Sequence, residues 1–457
     1  MTRDMTTGSP VRQILAFSIP LLIGNLFQQF YSLADSIIVG RMLGTAAFAA
    51  VGSTGSLNFL VLGLALGSCS GFSIPIAQSF GAGDHNAVRR RCGQCVWLCL
   101  LLSAFITVLT FFFTGRFLHL IHTPESLYAD AYTYIFIVFM GTGATVLYNM
   151  ASGILRSLGD SRTPLYFLIV ATVINVALDI LFMGPMDMGV AGAAWATVIA
   201  QLFSGLACLV YMGTKVPILR LSRQDLKPNG REMLHIAGIG VPMGLQFSIT
   251  AIGSVTMQSA VNSLGDAAVA AASAGSKINV ALAAPMETLG LAMATFCGQN
   301  LGAGRVDRIR TGMRRIFCIG LIYCVAALAV AYFFTPDIAL LFISAEDAYV
   351  ITLTHHFMMI LTMFYPTLLI IFLFRNSLQG MGFSNSAMLA GVAEMIARIA
   401  AAFTLVKFWG FTGVVFGHVL AWIMANAVLL PLYFRKTRQA ARELALFRSL
   451  RTGETHE

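Results

Sequence analysis

Along most of the chain the apolar residues neither alternate with polar ones nor keep to one helical stripe. Trp97 to Leu109 and Ile316 to Phe334 are apolar on nearly every face, whereas a membrane-spanning β-strand would turn a polar residue inward at every second position. Hydrocarbon offers backbone groups no partner, so such runs predict helices. Gly, Pro and charged residues divide the pattern into twelve predicted helices, over 12–40, 46–79, 92–115, 129–156, 163–183, 189–213, 233–263, 267–299, 312–335, 349–379, 385–407 and 410–434. Several exceed the ~20 residues that cross a bilayer, which predicts tilt or extension beyond it. Pro20 and Pro242 fall early in the first and seventh helices, and each removes a helix hydrogen bond, so both are expected kinks.

The pattern repeats at a spacing of about 221 residues. Leu43-Gly44-Thr45-Ala46-Ala47 returns as Leu264-Gly265-Asp266-Ala267-Ala268, and Gln78 to Gly83 returns as Gln299 to Gly304, each followed by basic residues. Ile19-Pro20 matches Val241-Pro242, Asn58 matches Asn279, and Gly189 and Gly192 match Gly410 and Gly413. Each copy holds six predicted helices, an even number, so the two copies enter the membrane from the same side. The expected fold is an all-α polytopic membrane protein of twelve transmembrane helices in two parallel-repeat six-helix bundles, an architecture common among secondary transporters. The expected organisation is an N-terminal lobe over 1–213, a polar and basic linker over 214–232, a C-terminal lobe over 233–434 and a basic tail over 435–457.

Composition excludes the competing classes. Hydrophobic residues make up 57% of the 457 and charged residues 11%, against about 25% charged in a soluble domain. A soluble enzyme could not hide so much apolar surface, and a disordered chain would lack it. The net charge of +9 invites a nucleic-acid reading, but the cations are sorted by side. Arg89, Arg90, Arg91, Arg156, Arg162, Lys215, Arg220, Arg223, Arg305, Arg308, Arg310, Arg314, Arg315, Arg375 and the tail fall on one side, against Arg41, Arg116 and Lys407 on the other. That is the positive-inside pattern and puts both termini in the cytoplasm of a multi-pass cell-membrane protein. The eight cysteines lie mostly in the spans, where they serve as small apolar residues; Cys92 and Cys95 form a CxxC without a second ligand pair. The first apolar run is too long for a cleavable signal peptide.

Ionisable groups in hydrocarbon are costly, by ~3 kcal/mol or more each, and mark function. Asp35 and Asp179 sit at similar depth, roughly 6–8 Å below the outer ends of the first and fifth predicted helices. Asn175 is one turn from Asp179, Gln28 two turns from Asp35, and Thr197 two turns into the sixth helix. This oxygen-rich set suits a proton-accepting pair or an oxygen-ligated Na⁺ at Asp35, Asn175, Asp179 and Thr197. Two carboxylates together in low dielectric resist carrying both charges, which makes protonation usable near neutral pH. The C-terminal copy has Thr256 and Ala400 near the equivalent positions. There, Glu394 and Arg398 stand one turn apart and are expected to neutralise each other, while Glu287, with Met257 and Met286, is a candidate to line a substrate cleft.

Ile19-Pro20-Leu21-Leu22-Ile23-Gly24, Tyr31, Ala34-Asp35-Ser36 and Val39 to Gly44 together resemble the multidrug and toxic-compound extrusion (MATE) family. Gln78 with Gly81-Ala82-Gly83, Leu155 to Asp160 and Asn175-Val176-Ala177-Leu178-Asp179 extend the resemblance over essentially the whole chain. It implies twelve helices in two lobes and export of organic cations or drugs against H⁺ or Na⁺. Within the family the chain looks more like the DinF-like branch, which implies a cation site at Asp35, Asn175, Asp179 and Thr197, with Gln28 nearby. The NorM-like pattern expects an acid in the seventh helix, where this chain has Thr250. The expected activity is therefore antiport by alternating access, with no enzymatic step and no cofactor beyond the coupling cation. The expected partners are a small-molecule substrate and membrane lipid, not nucleic acid, and the expected state is a monomer. The rival readings are a flippase for a lipid-linked saccharide or other amphiphile, and a membrane enzyme. The chain has no HExxH, Walker A or GxSxG motif, and Gly67-Ser68-Cys69-Ser70-Gly71 lacks the central serine of the last.

Overall fold

The computed structural model describes residues 3–121 and 123–452, with side chains as far as residue 445. The helices are α1 (Pro10–Leu43), α2 (Thr45–Ser53), α3 (Gly55–Phe72), α4 (Ile74–Gly81), α5 (His85–Leu120), α6 (Glu125–Met140), α7 (Thr142–Ser157), α8 (Arg162–Met183) and α9 (Gly189–Lys215). After a 3-10 turn at Pro217–Leu219 come α10 (Gly230–Asn262), α11 (Asp266–Gly302), α12 (Val306–Ala339), α13 (Ala348–Met363), α14 (Tyr365–Gly380), α15 (Ser384–Phe403) and α16 (Leu405–Thr452). The described residues contain no strand. Among the described residues ten helical runs are long and apolar enough to cross a membrane, and counting each of the bent pairs α6–α7 and α13–α14 as one span brings the total to twelve. Residues 453–457 of the expected tail, and the side chains of Arg448 and Arg451, lie outside the described residues.

The helices depart from expectation where hydropathy and helicity part company. α5 begins seven residues before the predicted 92, capped by the Asp84 carboxylate on the Ala87 N–H at 2.9 Å, so Arg89, Arg90 and Arg91 are helical. Hydropathy marks where hydrocarbon begins, whereas a capped helix continues into water. α1 and α10 run unbroken through Pro20 and Pro242. Bends of 47° and 53° fall at Gly141 and Phe364, equivalent positions of the two copies, and α16 is interrupted at Gly410. The repeat is written into the backbone as well. Left-handed glycines recur in pairs: Gly44 and Gly265, Gly83 and Gly304, Gly159 and Gly382, Gly189 and Gly410. All but Gly410 end or start a helix, and Gly410 interrupts α16, each with a turn that a side chain would strain.

Packing divides the chain into two units. The first comprises 19–248 with the residues up to Asp4, the second Met5–Ser18 and Ile249 onward. The division thus falls inside α1 and α10 and not in the segment 214–232. That segment is clasped within the first unit: Gln94 of α5 donates to the Lys227 carbonyl at 2.9 Å and accepts from the Asn229 N–H at 2.8 Å, and Trp97 donates to the Leu226 carbonyl at 2.8 Å. Arg90 pairs with Glu232 at 3.0 Å, and the Ser222 hydroxyl and backbone N–H hold Asp225 below the ordinary carboxylate range. In the second unit Met5 donates its N–H to Gln299 at 2.8 Å, and Arg305 and Arg308 reach the carbonyls of Thr6 and Gly8 at 2.7 and 2.9 Å.

In the first unit the core gathers α3, α5, α6, α7 and α9 around Phe72, Ile106, Phe139, Ile154 and Cys208. Gly67 and Gly71 give the GSCSG run its structural meaning: a Cβ on Gly67 would come 2.7 Å from the Gly244 Cα, and one on Gly71 would collide with Gly240. Two small-xxx-small faces let α3 and α10 approach backbone to backbone, the usual way helices pack without a hydrophobic driving force. In the second unit α15 packs along α16 and α11 along α14, as α8 packs along α9 and α3 along α7 in the first.

Candidate cation-coupling site

The first unit buries a polar cluster on otherwise apolar helices. The buried face of α8 includes Ala171, Asn175, Asp179 and Met183, a four-residue stripe that turns the amide and the carboxyl inward together. Asp179 and Asn175 are fully buried and Asp35 nearly so, at 8% exposure. The carboxyl groups of Asp35 and Asp179 are within hydrogen-bonding reach of each other. With the Asn175 amide turned so that both its ends are satisfied, its nitrogen donates to Asp179 Oδ2 at 3.0 Å and its oxygen accepts from the Thr197 N–H at 3.2 Å. The Thr197 hydroxyl accepts from Tyr31 Oη at 3.2 Å. Tyr31 is one turn before Asp35 on α1, and buried Tyr134 of α6 lies near both carboxyls.

Among the described residues no side chain or backbone group donates to Oδ1 of Asp35 or to Oδ1 of Asp179. An ionised carboxylate only accepts, so two carboxylates in contact repel each other while both are charged. Asp35, Asp179, Asn175 and Thr197 come together as the spacing predicts. Gln28 does not: its side chain is exposed on α1, and no hydrogen bond joins it to the cluster among the described residues. Tyr31 and Tyr134 were not among the expected site residues. Tyr31 had a local signal, a hydroxyl at i−4 from Asp35, but Tyr134 had none.

The second unit corrects several expectations. Met257 and Met286 do not line open space; they are 2% and 0% exposed. Met257 packs against Ala401 and Val414 in a small core, and Met286 meets Cys324 at 3.8 Å. Flexible thioethers fill irregular gaps, and both gaps here are internal. Glu287 does face open space on α11. Arg375, expected among the one-sided loop cations, instead lies within α14 and pairs with Glu394 at 2.7 Å, while Arg398 pairs with the other carboxylate oxygen at 2.7 Å. Arg398 also donates to Ser254 at 3.2 Å and points Nη1 at the Thr250 carbonyl 3.5 Å away. The expected neutral pair is thus a triad with one positive charge in excess. Thr250, where the resemblance implies an acid in the NorM-like branch, thus has a guanidinium near its carbonyl. Among the described residues no group of three or more His, Cys, Asp and Glu side chains is arranged to hold a metal ion.

A duplicated, all-helical, membrane-spanning chain with a buried acidic pair has the equipment of a secondary transporter. The MatE family matches residues 20–181 and 242–404, one match in each copy of the repeat. The chain is 30% identical to the probable multidrug resistance protein YpnP of Bacillus subtilis, over 83% of this chain and 84% of that one. It is 25% identical to a FAD transporter of Shewanella oneidensis, over 84% and 85%. A crystal structure of a MATE protein in the bent conformation superposes with a TM-score of 0.89 at 23% identity, covering 97% of this chain and 100% of the other. An outward-facing multidrug resistance MATE transporter superposes at 0.88 with 22% identity, covering 96% and 98%. The protein belongs to the MATE family of multidrug efflux transporters.

Proposed function

We propose that the protein is an antiporter that exports cationic or amphiphilic small molecules in exchange for H⁺ by alternating access, with both termini in the cytoplasm. The observation that carries this reading is the burial of Asp35 and Asp179 with their carboxyl groups in contact. A proton shared by the pair removes one of two charges that hydrocarbon disfavours. Na⁺ is the weaker reading, because the Asn175 and Thr197 oxygens already accept hydrogen bonds from the protein. The Arg398 guanidinium beside Thr250 disfavours a second cation site in the other unit, and the cluster's residue pattern supports the DinF-like branch.

Facing outward, the pair takes up H⁺; its protonation repacks α1 against α8 and α9 and favours substrate release, and loss of the proton inside resets it. Exchange requires that proton and substrate disfavour each other's bound states, since coupling is reciprocal. One charge moving through 100 mV supplies about 2.3 kcal/mol, and each pH unit about 1.4. The test is ethidium movement in proteoliposomes under separately imposed pH and Na⁺ gradients. The expected outcome is dye movement driven by the pH gradient and abolished in Asp35→Asn and Asp179→Asn proteins that still insert. Dye driven by Na⁺ alone refutes proton coupling; dye driven equally well in both variants refutes the site. Movement of a lipid-linked saccharide instead of dye would mark a flippase.

A further inference from the structure

A second chemistry lies at one end of the second unit, remote in sequence from the acidic pair. Arg310, Met313, Arg314 and Phe317 follow one face of α12, and with Phe374 of α14 and Tyr433, Phe434, Thr437 and Arg438 of α16 they line a recess of about 430 Å³. Its floor is aromatic. Phe374 meets Tyr433 edge-on at 4.7 Å, with Phe317 and Phe434 each 6.4 Å from Phe374. Its rim is cationic, since Arg310, Arg314 and Arg438 are all exposed. None of the three forms an ion pair among the described residues. Among the described residues no Asp or Glu lines the recess. Glu443, the one carboxylate among the described residues of the adjoining groove with Arg435 and Arg442, accepts from Gln439 at 2.8 Å.

The level of the recess follows from the sequence. α12 changes from basic to apolar at Arg315-Ile316, and α16 changes from apolar to basic at Phe434-Arg435. The recess straddles both changes, so it lies at the height where acyl chains give way to headgroups. Three guanidinium groups around one recess, without carboxylate partners among the described residues, match the planar, multidentate recognition of phosphate. The aromatic floor beneath them suits the glycerol backbone and the first methylenes. A soluble anion would leave that floor unused.

We propose that this recess binds the phosphate of an anionic phospholipid, held between α12, α14 and α16. The site is independent of the transport reading and requires only that the helices span a bilayer. The experiment measures binding of phosphatidylglycerol to the purified full-length protein in detergent, beside phosphatidylcholine, inorganic phosphate and glycerol 3-phosphate. Phosphatidylglycerol is expected to bind at least about tenfold more tightly than phosphatidylcholine. At roughly one tenfold step or less per basic residue near a membrane surface, the triple change R310Q/R314Q/R438Q should weaken it about a hundredfold. The exposed control change K215Q/R223Q/R231Q should leave it unaltered. If the triple variant does not fold, the unmodified protein still decides the matter, because added salt should release phosphatidylglycerol and not phosphatidylcholine. Equal affinity for the two lipids, undiminished binding by the triple variant, or inorganic phosphate or glycerol 3-phosphate binding as tightly as the lipid would each overturn the proposal.

Discussion

Asp35 and Asp179 stood out in the sequence because a carboxylate in an apolar helix is expensive, and similar depth in neighbouring helices made a meeting plausible. Their partners were less legible. Asn175 and Tyr31 could be read at helical spacing from an aspartate, but Tyr134 reaches the cluster only through the fold of α6. Gln28 satisfied the same spacing rule and is exposed, since two turns along a helix can carry a residue from one neighbour to open space. The Arg375–Glu394–Arg398 triad shows the same limit: the Glu394–Arg398 pair is local, while Arg375 arrives from another helix. Glu394→Gln should therefore destabilise the protein strongly, by about 3–5 kcal/mol, because it leaves two guanidinium groups without their shared countercharge. Thermal unfolding in detergent checks this, and a variant as stable as the parent would show that the triad carries no structural weight.

Among the elements, the bends at Gly141 and Phe364 explain why the fourth and tenth spans are helix pairs. A Cβ on Gly141 would collide with the Val198 side chain of α9, so the chain turns where α9 crosses close. Gly141→Ala should cost about 1–3 kcal/mol by overpacking. Val198→Ala in the same protein should return much of that loss, since the collision is with the side chain it shortens. Unfolding midpoints of the single and double variants measure both effects; additive losses would separate the bend from this contact. Hydropathy could not announce the bends, because both halves of each pair are apolar. Nor could it find the true starts of α5 and α12, where the helix outlasts the hydrocarbon.

For the whole molecule, the repeat implies parallel copies, and the copies have diverged in chemistry: one buries an acidic pair and the other a cationic triad. The cation asymmetry along the chain implies one orientation. With the eight native cysteines replaced, single cysteines at Asp84, Arg223 and Arg305 should react with an impermeant thiol reagent only from the cytoplasm, and those at Thr123, Asp187 and Ser344 only from outside. Labelling of the first set from outside would invert the proposed topology.

The order and period of hydrophobic residues were enough to determine a duplicated twelve-helix membrane protein, because a bilayer allows an apolar run of that length almost no other backbone. They also marked the costly charges. Tertiary structure alone decided which of those charges meet, which methionines are internal, and that the division between units cuts through α1 and α10 while the polar segment after α9 is bound to α5. Lipid-facing and protein-facing surfaces are equally apolar, so neighbours in this chain are selected by small-residue contacts and hydrogen bonds that linear hydropathy does not record.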